Sequence, residues 1–322
     1  MKRKKTFFAP SPGSGPVKLA DFIELVALHV SDGKVSKQDV ISRLKQAGEE
    51  DDDKYEIEVN EAFTELYERL QHMGNGAEYY PFRIEGDLLK RKRSRYIKKQ
   101  GFLYLFLLLS TRMDMKKEGT QKVQNGKRID ATKIFEHLCL AVAKCYWGGS
   151  SDPRIKGLVF GTGRNLDVGS GPRRPSGFKG SVEELCLLLE ERGKYRPTDP
   201  HRVTAKDDTL DVVVWRNFSD RRKGKLIGFG QCKTGDSWEN DLCSLQPEKF
   251  CQNWMETSPT TPVRLFFLSD RVVEHWNRKC NNAGILFDRC RILDYADEVP
   301  KMLLSLCAEW TFSALDTKGL QY

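Results

Sequence analysis

The sequence lacks several signatures that would have settled its class at once. Its nine cysteines contain no Cys-x-x-Cys pair and no Cys…His spacing, which disfavours a zinc ribbon or finger. The longest apolar run, residues 102–109, falls far short of the ~20 residues that span a bilayer, so no membrane contact is expected. Gly161-Thr162-Gly163 stands without a following Gly-Lys-Ser/Thr, so there is no phosphate-binding P-loop. The five histidines (29, 72, 137, 201, 275) are dispersed, which leaves a Cys–His nucleophile to be assembled from unrelated positions. No internal repeat is evident. Neither sign of charge is scarce, at 53 Lys+Arg against 45 Asp+Glu, so the formal +8 permits a polyanionic partner without demanding one. The odd cysteine count, with no secretory apolar region near the start, leads to an expectation of reduced thiols in the cytoplasm.

What is present divides the 322 residues into two parts, with a boundary expected near residue 100. After a polar leader (Lys2 to Lys5), Leu19, Phe22, Ile23, Val26 and Val30 form a helical stripe. Ser36 and Asp39 resemble a capping box, with Val35 and Val40 placed as a hydrophobic staple. The acidic run from Glu49 to Asp53 reads as a solvated loop. A third stripe, Val59, Phe63, Leu66 and Leu70, ends near Gly74, and Tyr80, Phe82 and Ile84 alternate as a strand entering a turn at Gly86-Asp87. Three short helices and a hairpin resemble a winged helix-turn-helix, with an unrelated helical interaction domain as the alternative.

The densest charge follows. Lys90, Arg91, Lys92, Arg93, Arg95, Lys98 and Lys99 place seven positive charges in ten residues, enough to contact several phosphates or to act as a phosphate-contacting hinge.

The remainder, residues 101–322, reads as one α/β (α+β) domain with a mixed sheet. Residues 101–111 are apolar all round and predict a buried helix, and residues 131–147 an amphipathic one. A strand is expected near 156–162, a glycine-rich loop over 161–180 and a helix over 181–191. Two strands at 210–215 and 225–233 are joined by a polar loop; a helix near 245–255, a strand at 263–268, a helix at 272–281 and a strand at 285–287 complete the pattern.

One constellation carries chemistry. Asp211 opens an otherwise apolar strand, a costly position for a carboxylate unless it is paired or binds a cation. Gln231-Cys232-Lys233 closes the next strand, and alternation puts Gln231 and Lys233 on one face with Cys232 on the other. A hairpin would set a carboxylate, a carboxamide oxygen and an ammonium together, a donor set suited to Mg²⁺.

Asp211 and Gln231-Cys232-Lys233 resemble the motif of the PD-(D/E)XK nuclease superfamily, in particular its Mrr-like restriction endonuclease branch. Ile134-Phe135-Glu136-His137-Leu138 is similar to that family's helix acid segment, which makes Glu136 the carried-over acid, with Glu183 or Glu184 as alternatives on a nearer helix. The resemblance covers about residues 131–292 and implies a restriction-endonuclease-like core. It implies a Mg²⁺- or Mn²⁺-dependent endonuclease, the metal held by Glu136, Asp211 and Gln231 and the water assisted by Lys233. It further implies DNA, chiefly double-stranded, as substrate, a role in restriction or anti-phage defence in a prokaryote, and a homo-oligomer. The missing P-loop points to an ATPase or helicase partner. The competing reading is a non-catalytic nucleic-acid-binding or adaptor subunit with an inactive core.

Overall fold

The computed structural model describes residues 9–47, 52–93, 98–123, 126–149, 151–166, 175, 177–191, 193–199, 208–256 and 260–320. The leader Lys2 to Lys5, Arg95 and His201 lie outside these.

The front part runs α1 (Pro16–His29), β1 (Lys34–Ser36), α2 (Lys37–Ala47), α3 (Asp52–His72), β2 (Phe82–Glu85) and β3 (Leu88–Arg91). Its three strands form an antiparallel sheet in the order β1-β3-β2. Pro16 starts α1, where a missing N–H costs nothing. The capping box forms: Ser36 Oγ accepts from the Asp39 N–H at 3.1 Å, and Asp39 Oδ2 accepts from the Ser36 N–H at 2.9 Å. Val35 and Val40 are fully buried beside it. Of the acidic run, residues 49–51 lie outside the described residues and Asp52 and Asp53 belong to α3; the Asp53 carboxylate, in the first helical turn, meets the positive end of the helix dipole.

The basic segment is split between elements, and its residues 94–97 lie outside the described residues. Lys90 and Arg91 belong to β3, and Lys99 starts α4 (Lys99–Arg112). Alternation along β3 sends Lys90 to solvent, while Arg91 turns inward to donate to the Leu28 carbonyl at 3.2 Å.

Short α5 (Met115–Glu118) and a two-stranded ribbon, β4 (Thr120–Lys122) with β5 (Arg128–Asp130), lead into α6 (Ala131–Tyr146). Asp130 caps α6 by accepting from the Thr132 N–H at 2.8 Å. Then come β6 (Ile155–Val159), α7 (Phe178–Leu189), β7 (Val212–Arg216), β8 (Leu226–Lys233), α8 (Pro247–Trp254), β9 (Val263–Leu268), α9 (Trp276–Ala283), β10 (Ile285–Phe287), α10 (Arg289–Leu293) and α11 (Lys301–Lys318). The central sheet has the order β10-β9-β8-β7-β6. Strands β6, β7 and β8 are antiparallel neighbours, while β9 and β10 run parallel to β8. The chain is therefore a mixed α/β protein with a five-stranded mixed sheet. No helix among the described residues is long and apolar enough to cross a membrane.

One hydrophobic cluster runs from Leu19 to Leu320 without a break at residue 100. Its spine is α4, buried from Gly101 to Thr111 as its all-round apolar sequence requires, with α11 alongside and Trp310 edge-on to Phe106 at 5.3 Å. Val212, Val214, Cys232, Leu265 and Phe267 give it the sheet face toward α6. The opposite face carries Val213, Trp215, Ile227 and Phe229 against α7 and α8, and Phe266 and Leu268 against Trp238 and Leu242.

Candidate active site at the end of the central sheet

Asp211 sits just before β7, bracketed by the strands on either side. Its N–H donates to the Gly230 carbonyl at 2.9 Å, and its own carbonyl accepts from Phe160 and Gly161 at 2.6 and 3.0 Å. The carboxylate is held by the Cys232 N–H, 2.7 Å from Oδ2.

Glu136 enters the same space from α6. It is buried, yet both its oxygens are met by a 3-10 turn, Thr162–Asn165, that follows β6. Thr162 Oγ1 donates to Oε1 at 2.8 Å and the Gly163 N–H to Oε2 at 2.7 Å, while the His137 ring pairs with the Gly163 carbonyl at 2.9 Å. The glycines explain the closeness. A Cβ on Gly161 would lie 2.7 Å from Asp211 Oδ1 and 2.8 Å from Glu136 Oε2. One on Gly163 would lie 2.9 Å from both Glu136 Oε2 and the Lys133 carbonyl. The two carboxylates thus face one small space over the Gly161 Cα. The Gly-x-Gly that lacks a P-loop lysine serves this approach; glycines between a strand and a loop were its only trace in the sequence.

Gln231 and Lys233 occupy the other side of β8. Cys232 between them meets Cys139 of α6, so alternation turns its neighbours away from that helix. Gln231 is 1% exposed, and its Oε1 is a buried acceptor without a hydrogen-bond partner among the described residues. Lys233 is partly exposed, and its Nζ is 2.9 Å from Asp241 Oδ2 in the 3-10 turn Trp238–Asp241, a partner that sequence reasoning missed. That turn is anchored in turn by Trp238, whose Nε1 donates to Asp270 at 3.0 Å.

The structure therefore brings Glu136 and Asp211 together and places Gln-x-Lys on the adjacent strand. Glu183 is exposed on α7 and pairs with Lys179 at 3.8 Å; Glu184 is half-buried on the same helix, whose apolar side packs on the sheet face opposite α6. Burial pushes the thiols of Cys139 and Cys232 up, so neither is a thiolate nucleophile near neutral pH. Among the described residues no three His, Cys, Asp or Glu side chains form a metal-holding group. The oxygen donors that do gather are the two carboxylates, with the Gln231 amide oxygen on the next strand.

The basic residues disperse. Lys90 pairs with Glu85, Lys98 with Glu78 at 2.8 Å and Lys99 with Ser305 Oγ at 3.4 Å, while Arg93 is exposed and Lys92 half-buried.

Comparison with known proteins returned no match: no family model, no curated protein and no solved structure is significantly similar to the chain.

Proposed function

We propose that the chain is a metal-dependent nuclease that hydrolyses phosphodiester bonds in DNA, in the manner of the PD-(D/E)XK superfamily. The observation that carries this reading is the shared space of Glu136 and Asp211 over Gly161, with Gln231 and Lys233 closing the neighbouring strand. An acid on the preceding helix, an Asp on one strand and Gln-x-Lys on the next is the placement the superfamily motif uses. The order helix, strand, two helices, hairpin in the front part supports a winged-helix reading alongside it.

The donor set suits Mg²⁺ or Mn²⁺. Glu136 and Asp211 would hold the ion; Gln231 Oε1, which has no donor among the described residues, starts from the face of β8 turned away from α6 and would have to turn round the strand end to complete the oxygens. Bound there, the ion supplies Lewis-acid activation of water and charge neutralisation at the phosphate. The chain's own work is positional. Thr162 and Gly163 fix Glu136, the Cys232 N–H fixes Asp211, and Lys233, steadied by Asp241, orients water and offsets charge developing on the phosphoryl oxygens. The neutral Gln231 leaves the site one charge short of the acidic version, which favours a single ion. Restriction or anti-phage defence, with an ATPase or helicase subunit as trigger, is the setting we propose.

The test is cleavage of plasmid and linear duplex with Mg²⁺ or Mn²⁺, with and without EDTA, alone and with co-purifying subunits. Glu136→Gln, Asp211→Asn and Lys233→Ala should each abolish it while leaving the circular dichroism spectrum unchanged. Intact DNA and RNA in every condition, with no cation binding by calorimetry, sinks the proposal.

A second reading has its own observation: every oxygen of Glu136 already takes a donor from the chain, and Lys233 already has Asp241. That self-satisfied arrangement suits a non-catalytic adaptor. It would be chosen if Asp211→Asn left biological function intact.

A further inference from the structure

The outer face of the three-stranded sheet carries a row of like charges. Cross-strand register puts Lys34 of β1 opposite Lys90 of β3, and Lys90 opposite Arg83 of β2. Directly opposed residues project from the same face, so three cations stand in one line across three strands. At ~4.8 Å per strand the row spans about 10 Å. The other face of the same strands is core: Val35, Leu89 and Phe82 are buried. Like charges directly opposed across a sheet are destabilising, so folding alone gives no reason for such a row.

Glu85 is the counter-charge within this face. It pairs with Lys90 and lies 3.9 Å from Arg83, and the Lys90 hydrogen bond, with Arg83 and Lys34 beyond it, holds its carboxyl below the ordinary range. One carboxylate against three cations leaves the row positive. Half-buried Lys92 keeps the alternation of Lys90 and exposed Arg93 follows it in the chain past the end of β3, and burial together with the charge of Arg83 lowers the Lys92 ammonium. Two of these charges, Lys34 and Arg83, lie outside the basic segment legible in the sequence; only strand pairing adds them to it.

The exposed side of α3 has the opposite character. Its outward residues include Asp53, Glu56 and Glu61 against Lys54, with Asn60 and Thr64 between them. A helix so charged is repelled by the phosphates lining a DNA groove.

We propose that this protein meets duplex DNA through the outer face of the β1-β3-β2 sheet, by way of Lys34, Arg83, Lys90, Lys92 and Arg93, and not through α3. The inference rests on the nucleic-acid reading above for its choice of ligand. The face offers Lys and Arg to phosphates and no Asn or Gln to base edges, so binding is independent of sequence and salt-sensitive. With about four phosphates neutralised, log Kobs falls against log salt with a slope near −4, at about 0.9 per contact.

The experiment is fluorescence anisotropy of a random-sequence duplex from 50 to 200 mM salt, in EDTA, so that binding is read without cleavage. The combined variant Lys34→Gln, Arg83→Gln, Lys90→Gln should bind about tenfold or more weakly near 0.1 M salt and lose about 3 from the slope. Its circular dichroism spectrum should match wild type, since all three side chains project from the outer face and the core face of Val35, Leu89 and Phe82 is untouched. Glu56→Gln with Glu61→Gln should leave binding unchanged or tighter. Wild-type affinity in the sheet variant, or loss of binding on Asn60→Ala with Thr64→Ala, overturns the assignment. So does binding confined to RNA hairpins or to phosphatidylserine vesicles. Retained duplex binding in a protein that never cleaves would sink the nuclease reading and leave this one standing.

Discussion

Arg289 donates two hydrogen bonds to Asp21, at 2.8 and 2.9 Å, across 268 residues of chain. The same carboxylate accepts from Arg69 and Arg112, each at 2.6 Å, with Asp21 and Arg69 fully buried. One aspartate of α1 thereby ties together α3, α4 and α10. Arg112 also reaches Asp270 at 3.1 Å, the acceptor of Trp238, so the front part is linked by charge-assisted bonds to the turn that holds Lys233.

Removing that charge would take the shared carboxylate from three guanidiniums; Arg69 keeps Glu65 and Arg112 keeps Asp270, while Arg289 is left with Asp270 at 3.9 Å. Asp21→Asn should lower the free energy of unfolding by about 3–5 kcal/mol, read from urea titrations. Burial alone would raise the Asp21 carboxyl, but Arg289, Arg112 and Arg69 outweigh it and hold it far below the usual range. A depressed carboxyl contributes stability above its unfolded value of about 3.9 and loses it as pH falls. The gap between wild type and variant should therefore close in acid; a gap constant from pH 7 to pH 3 contradicts the assignment.

Glu24 should behave with the opposite sign. Burial pushes its carboxyl up, against the opposing pull of Arg69, and the hydroxyls of Tyr80 and Tyr104 donate to its Oε1 at 2.5 and 2.6 Å. A raised carboxyl contributes stability that is complete below its unfolded value of about 4.3 and fades as pH rises through the folded one. Wild type should lose stability relative to Glu24→Gln as pH climbs; two curves that stay parallel would refute this.

Gln231→Glu separates the two functional readings. With a cation bound, the new carboxylate should tighten metal binding and lower the Mg²⁺ concentration needed for half-maximal cleavage. With none, a charge is introduced at a buried position and the protein loses about 2 kcal/mol or more. Calorimetric Mg²⁺ titration beside thermal melting reads both.

Gly161→Ala places a methyl against both carboxylates. It should abolish metal binding and activity together and cost about 1–3 kcal/mol through overpacking. A variant with normal activity would show that Glu136 and Asp211 need not share that space.

Elements governed by neighbours in sequence were legible in advance. The stripe of α1, the Ser36–Asp39 capping box, the all-apolar α4, the alternating β2 and the pair β7 and β8 depend on periodicity and local hydrogen bonds. Boundaries slipped where competition is tertiary: the strand expected at 156–162 ends at Val159 because Phe160 and Gly161 turn to donate to Asp211. The helix α11 buries one face, from Leu303 through Cys307, Trp310 and Ala314 to Leu315, but the exposed Met302 and Phe312 blur that stripe in the sequence.

Composition and order by themselves determined that this is a mixed α/β chain, roughly where most of its longer helices and strands lie, and which residue types stand at the end of β8. Tertiary structure alone decided which of them meet. Asp21 and Arg289, Glu136 and Thr162, Lys233 and Asp241, and Lys34, Lys90 and Arg83 are brought together by strand register and helix packing. Hydrogen bonds and Coulomb forces act over a few ångströms of space, and the order of residues along a chain leaves that separation open until the fold closes it.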